Sequence, residues 1–180
     1  MLGEGTSVQD HVTPNITPSA FRSVMGHFCT GVTVVTGRGP RTPGGQGAPT
    51  GFTCQAFSSL SLQPPRIVLC VSRSSSSWPV ISAGGAFCVN VLAQHQHALS
   101  ERFARSGGDK FADVDWSAAP SGSPRLTGAS AWIDCRPHTE LDGGDHLIVV
   151  GDVLRLGASP EAPAPLLYHR GRYTRTADAG

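Results

Sequence analysis

Between Thr50 and Ser77 the chain reads TGFTCQAFSSLSLQPPRIVLCVSRSSSS, and its apolar and polar positions change pattern twice. Phe52, Cys54, Ala56 and Phe57 mix with Thr53, Gln55, Ser58, Ser59 and Ser61 in a rough alternation, the period of a half-buried strand. Pro64-Pro65 cannot sit inside a central strand and marks a break. Ile67 to Val71 is a continuous apolar run of the buried type. Five serines and Arg73 then fill Ser72 to Ser77, and the apolar run after Trp78-Pro79 predicts a short helix. This segment therefore predicts two strands joined by a proline turn and followed by a serine-rich end.

The same reading organises the rest. Thr17 as N-cap and Pro18 at the first helical position predict a helix through Ala20 to Met25, set over one mouth of the fold. Val32 to Thr36 reads as a strand and Gly37 to Pro49 as a long hairpin loop. Ala86 to Leu92 is a further strand. Ala93, Ala98, Leu99 and Phe103 approach helical spacing, and Gly107-Gly108-Asp109 ends that helix. Ser117 to Pro124 reads as a loop, Ala129 to Cys135 and His146 to Leu156 as strands, and Ala158 to Pro165 as a proline-rich connector. Trp116 and Trp132 are expected in the core or at an interface. Several antiparallel strands with few helices predict a mainly β chain closed into a barrel or split barrel, because closure removes exposed sheet edges. The boundaries are a polar tail over residues 1–17, one domain over 18–175 and a short tail over 176–180.

Composition narrows the classes. The 180 residues suit one domain, and 39% hydrophobic residues suffice for a core. Glycine (22) and proline (14) are frequent enough for a loop-rich β protein. A net charge of +1 gives no basic surface for nucleic acid. Arginine carries almost all the positive charge, which reads as coding bias. The five cysteines are odd in number and lack a C-x-x-C pair, so they read as free thiols in a reducing compartment and no metal site is expected. His95 and His97, at i and i+2, diverge on a helix and cannot share an ion. No charged and then apolar leader and no membrane-length apolar run occurs, which predicts a cytoplasmic protein.

For the serine segment two readings stand side by side. Polyserine is a common flexible linker. Equally, an arginine among serine hydroxyls at a strand end, ahead of a helix N-terminus, suits a phosphate. The sequence shows no nucleophile elbow, no paired catalytic carboxylates and no Walker loop.

The order of these motifs, with Phe28-Cys29-Thr30-Gly31-Val32-Thr33-Val34-Val35-Thr36 before them and Phe87 to Leu92, Arg102-Phe103-Ala104, Lys110-Phe111, Gly144-Asp145-His146 and Pro165 to Tyr173 after them, resembles the flavin reductase-like family. The resemblance runs from about Phe21 to Tyr173 and implies the antiparallel Greek-key split β-barrel that binds FMN. More narrowly the chain resembles the reductase component of bacterial two-component flavin-dependent monooxygenases, found in aromatic-catabolic and antibiotic pathways. That implies hydride transfer from NADH, or less readily NADPH, to FAD or FMN, and release of reduced flavin to a partner monooxygenase.

Site residues carry over from the resemblance. Thr53, Cys54, Gln55 and Ala56 would line the flavin ring edge, with Ser59 nearby; Arg73, Ser75 and Ser77 would hold its phosphate; Phe103 would contact the flavin. His146, beside Asp145, would serve the nicotinamide as the catalytic candidate, and Arg172 and Tyr173 would complete that pocket. Gln55 stands where the family commonly has Asn or Ser, and Cys54 where it has a small apolar residue. The resemblance also implies a homodimer with the site at the subunit boundary. Two alternatives remain on the same fold: a flavin-binding or electron-carrier protein without catalysis, and a self-contained oxidase or oxygenase.

Overall fold

The computed structural model describes residues 15–176. The tails expected over residues 1–17 and 176–180 therefore lie almost wholly outside the described part. In chain order the elements are α1 (Pro18–Met25), β1 (Thr30–Gly31), β2 (Thr33–Arg38), β3 (Pro49–Cys54), β4 (Phe57–Leu62), β5 (Pro65–Ser72), α2 (Trp78–Gly84), β6 (Phe87–Val91), a 3-10 turn (Gln94–Gln96), α3 (His97–Ala104), β7 (Trp116–Ala118), β8 (Pro124–Leu126), β9 (Ala131–Gly143), β10 (His146–Ala158), β11 (Leu167–His169) and β12 (Arg172–Thr174).

Seven strands form one antiparallel sheet in the order β3-β2-β6-β9-β10-β5-β4, and β1-β11-β12 and β7-β8 form two small ones. The two outermost strands of the large sheet, β3 and β4, are consecutive in the chain. The chain thus steps from one edge of the sheet to the other at Gln55-Ala56, and the sheet curls into a split barrel. Phe57 N donates to Gln55 O (2.9 Å) at this step, and Cys70 N donates to Ala56 O (2.9 Å). The expected single strand over Phe52 to Ser61 is therefore two strands. No glycine or proline marks that turn; the pairing of β3 with β2 and of β4 with β5 makes it.

Burial follows the pleat. In β5, Ile67, Leu69 and Val71 point into the core with Trp78, Ile81 and Phe87, while Val68 and Cys70 face the other side and are half-buried. A second core holds Val32, Val34, Leu92, Phe103, Leu126 and Leu166. Between them, fully buried Asn90 donates from Nδ2 to Val34 O (3.1 Å) and Thr36 Oγ1 (3.1 Å), and its Oδ1 accepts from Leu126 N (2.8 Å).

Three expectations are corrected. The Ser117 to Pro124 segment is the β7–β8 hairpin, tied to the barrel by buried Asp134, which accepts from Ser121 N (2.9 Å). The strand expected over Ala129 to Cys135 continues to Gly143, because Arg136, Thr139, Glu140 and Asp142 pair with β10 as a polar ribbon that hydropathy alone does not mark. The helix expected from Ala93 begins with a 3-10 turn, where Gln96 Oε1 accepts from Ala93 N (3.0 Å). Helix α1 does start at Pro18 with Thr17 as N-cap, but it buries none of its residues in this chain.

Candidate functional site

The elements converge on a groove of about 700 Å³. The end of β3 (Phe52, Thr53, Cys54) and the Gln55-Ala56 step form one side. Ser72 and the Ser74–Ser77 turn form the rim. Phe103 and Glu101 of α3, with Lys110 beyond it, face them, and His146, Tyr168 and Tyr173 close the mouth.

The serine segment is an ordered turn. Ser77 Oγ donates to Gly51 O (2.9 Å), Ser75 Oγ accepts from Trp78 N (3.2 Å), and the Ser72 and Ser74 hydroxyls lie 2.8 Å apart. Thr53 Oγ1 donates to Ser100 O (2.6 Å), which pins β3 to α3, and Ser100 Oγ meets the Tyr173 hydroxyl at 2.9 Å. Tyr173 also packs against His97 at 4.1 Å between ring centroids, so α3 holds the C-terminal hairpin at the groove.

Arg73 turns the other way. Its Nε donates to Gly144 O (2.8 Å), its guanidinium pairs with Asp142 (3.2 Å), and its backbone N–H donates to Asp145 O (3.1 Å). These bonds brace the β9–β10 turn that carries His146. The Asp142 carboxyl is held below its ordinary value by the Gly144 N–H and then by Arg73. His146 Nδ1–H donates to the Asp145 carboxylate at 2.7 Å, and that bond holds the Asp145 carboxyl below its usual range. The arrangement leaves Nε2 as the ring's other polar atom.

Of the expected site residues, Thr53, Cys54, Gln55, Ala56, Ser75, Ser77, Phe103, His146 and Tyr173 line this groove. Ser59 lies exposed in β4, Arg172 lies exposed in β12, and Arg73 and Asp145 stand behind the His146 turn; none of these four lines it. The sequence reading missed Phe52, Cys70, Glu101, Lys110 and Tyr168. The signal for Phe52 was present in the strand pattern, since it flanks Thr53; Lys110 had only its adjacency to Phe111.

Cys54 is a neutral wall. Burial pushes its thiol up to about 12, and its Sγ donates to Ala56 O and Cys70 O, both at 3.6 Å. His97, beside Glu101 at 3.3 Å, and His95 are exposed, and among the described residues no group of three or more metal-ligating side chains occurs.

A second groove, about 900 Å³ and mostly apolar, adjoins the first and shares Gln55, Ala56, Cys70 and Tyr168 with it. Phe21 and Met25 of α1, Phe28, Phe57 and Val68 line it.

Residues 25–177 match the family model described as the flavin reductase like domain. The chain belongs to this family. Among its relatives is the reductase subunit HsaB of a flavin-dependent monooxygenase from Rhodococcus jostii, 46% identical over 88% of this chain and 78% of that one. An NADH flavin reductase from Kitasatospora aureofaciens is 41% identical over 86% of this chain and 80% of that one. Of solved family structures, nitrilotriacetate monooxygenase component B from Mycobacterium thermoresistibile superposes with a TM-score of 0.83 at 46% identity, covering 88% of this chain and 86% of that one. An NADH:FAD oxidoreductase from Streptomyces globisporus, solved with NAD and FAD fragments, gives 0.81 at 36% identity, over 90% of this chain and 94% of that one. The split-barrel fold is the family's.

Proposed function

We propose that this chain is an NAD(P)H:flavin oxidoreductase that moves a hydride from NADH to FAD or FMN and releases the reduced flavin to a separate monooxygenase. The observation that carries the proposal is the groove, where an amide-bearing step, a serine turn and a histidine of fixed tautomer converge within a family of flavin reductases. Its 700 Å³ falls in the range of about 300 to 1,000 Å³ usual for cofactor sites, and its lining is divided between polar and apolar groups. Those features fit a flat, hydrogen-bonding, phosphorylated ring.

The flavin accepts the hydride and NADH supplies it, so the chemistry is the cofactors' own. The chain's residues bind and orient. The Gln55-Ala56 step lies outside every strand pairing, which leaves its amides to the ring edge, where they favour developing negative charge. Thr53, tied to α3, and Phe103 hold the two walls at a fixed separation. Neutral Cys54 adds apolar surface without redox chemistry. His146, its Nδ1 committed to Asp145, offers Nε2 to the nicotinamide carboxamide, and Tyr173 closes that side. Stacking the two rings within van der Waals reach is the main contribution to rate.

We infer a homodimer as well. Phe21 (57% exposed), Val24 (71%), Met25 (52%) and Phe28 (72%) stand beside the apolar groove that joins the candidate site, a surface suited to cover by a second copy. A cytoplasmic setting agrees with five free cysteines. Anaerobic mixing of the protein and flavin with NADH tests the reaction: loss of the flavin's visible absorbance, faster than in protein-free controls, is expected, and an unchanged spectrum would refute it.

A further inference from the structure

Of the described residues that line the main groove, Glu101 is the only carboxylate. It stands on α3 with about half of its side chain exposed, one turn after His97, whose Nε2 lies 3.3 Å from Glu101 Oε1. The His97 ring packs on Tyr173 at 4.1 Å between centroids, and the Tyr173 hydroxyl meets Ser100 Oγ at 2.9 Å. Ser100 is fully buried, and its carbonyl accepts from Thr53 Oγ1 of β3 (2.6 Å). The contacts that join α3, the C-terminal hairpin and the β3 wall thus also seat this carboxylate, on the side of the groove that Tyr173 closes.

The groove's cations do not neutralise it. Lys110 is held at the serine turn, where its ammonium donates to Gly51 O (3.1 Å) and Phe103 O (3.2 Å), and Gly51 O also accepts from Ser77 Oγ (2.9 Å). Arg105, four residues after Glu101, is exposed, and among the described residues His97 alone lies within ion-pair distance of the carboxylate. His97 meets Oε1, which leaves Oε2 to accept from a ligand. A carboxylate only accepts hydrogen bonds, so the groups it suits are hydroxyls, above all a ribose diol with its two adjacent O–H donors. A phosphate on that diol removes one donor and sets further negative charge beside the carboxylate. Acidic side chains meet the ribose of NAD in this manner in other dinucleotide sites.

We propose that Glu101 is a specificity-determining residue that accepts hydrogen bonds from the diol of the NADH adenosine ribose and, by its charge, excludes the 2′-phosphate of NADPH. The inference rests on the flavin reductase reading and names the reductant within it. That reading gives the Tyr173 side to the pyridine nucleotide, while β3 and the Gln55-Ala56 step take the flavin ring. His97 is the positioning residue, holding the carboxylate through Oε1 while its own ring is held by Tyr173.

The test compares NADH with NADPH, which differ by the 2′-phosphate, as reductants for the full chain at saturating FMN. Glu101→Gln keeps the side chain's size and removes its charge. It is expected to raise the ratio of kcat/KM for NADPH to that for NADH about tenfold or more, the effect of one like-charge contact in a half-exposed site. Arg105→Met is expected to leave that ratio unchanged. An unchanged ratio in Glu101→Gln overturns the assignment, whether both nucleotides lose equally, as they would if the carboxylate met the nicotinamide ribose that they share, or neither does. A ratio that moves in Arg105→Met alone overturns it as well. A second measurement uses the wild-type chain and needs no variant to fold. Added salt screens the repulsion, so the NADPH-to-NADH ratio should rise with ionic strength; a ratio that falls would show net attraction of the 2′-phosphate to the groove's cations and contradict the proposal. Wild-type protein that oxidises neither nucleotide in the presence of flavin would refute the flavin reductase reading itself, whereas equal use of both would refute only the role of Glu101.

Discussion

His146 and Asp145 are joined by a 2.7 Å hydrogen bond between imidazole Nδ1 and carboxylate, on a turn that Arg73 grips from β5 through Gly144 O and Asp142. The bond occupies Nδ1 and leaves Nε2 as the ring's remaining polar atom. His146→Ala is therefore expected to lower kcat/KM for NADH about tenfold, the worth of one good hydrogen bond, while flavin affinity stays within about twofold. Steady-state kinetics beside a flavin titration checks this. Equal loss of both would assign His146 a structural role.

Alkaline pH is expected to weaken the fold. Burial raises the Cys54 and Cys135 thiols from 9.0 to about 12, because a buried thiolate loses its hydration. The unfolded chain ionises these groups near the lower value. Their contribution is thus intact below about pH 9 and is lost progressively as the pH climbs toward about 12. Urea midpoints measured across that range should fall, and should fall less in Cys54→Ala/Cys135→Ala. A wild-type midpoint unchanged up to about pH 11 would contradict the argument.

Asn90 of β6 links β2 and β8 from inside the barrel. Asn90→Leu removes the acceptor for Leu126 N and the donor for Val34 O while burying both groups, at a cost of about 2 to 4 kcal/mol. Chemical denaturation with an unchanged midpoint would show that β8 finds other partners.

Gly84 closes α2 against the β2 end. A Cβ there would stand 1.9 Å from Arg38 O, a backbone atom that cannot swing aside. Gly84→Ala should destabilise by about 3 kcal/mol, read as a lowered Tm. An unaffected Tm would mean that α2 moves freely on the barrel.

Much of the fold was legible because the chain's strands carry period-two or continuous apolar runs, as in Val32 to Thr36, Ile67 to Val71 and Phe87 to Leu92. The Gln55-Ala56 step was not, since it comes from the pairing partners on either side and has no breaker residue. The β9 ribbon was missed because Arg136, Thr139 and Glu140 gain their order from β10, a partner that local hydropathy does not reveal. At the site, the β3 residues and His146 followed from motif order. Lys110 did not, since its approach to the serine turn depends on the fold of α3 and the Gly107-Gly108 turn. Conversely, Arg73 looked like a groove residue by its serine neighbours, yet the β9–β10 turn supplies its partners.

The most direct test of the central claim is NADH consumption by the purified chain with FAD or FMN in large excess over protein. Many NADH molecules oxidised per chain, at a rate that requires free flavin and saturates with it, is the expected result. Oxidation that stops after one equivalent, or does not occur at all, would contradict a diffusible-flavin reductase and favour a flavin carrier on the same barrel.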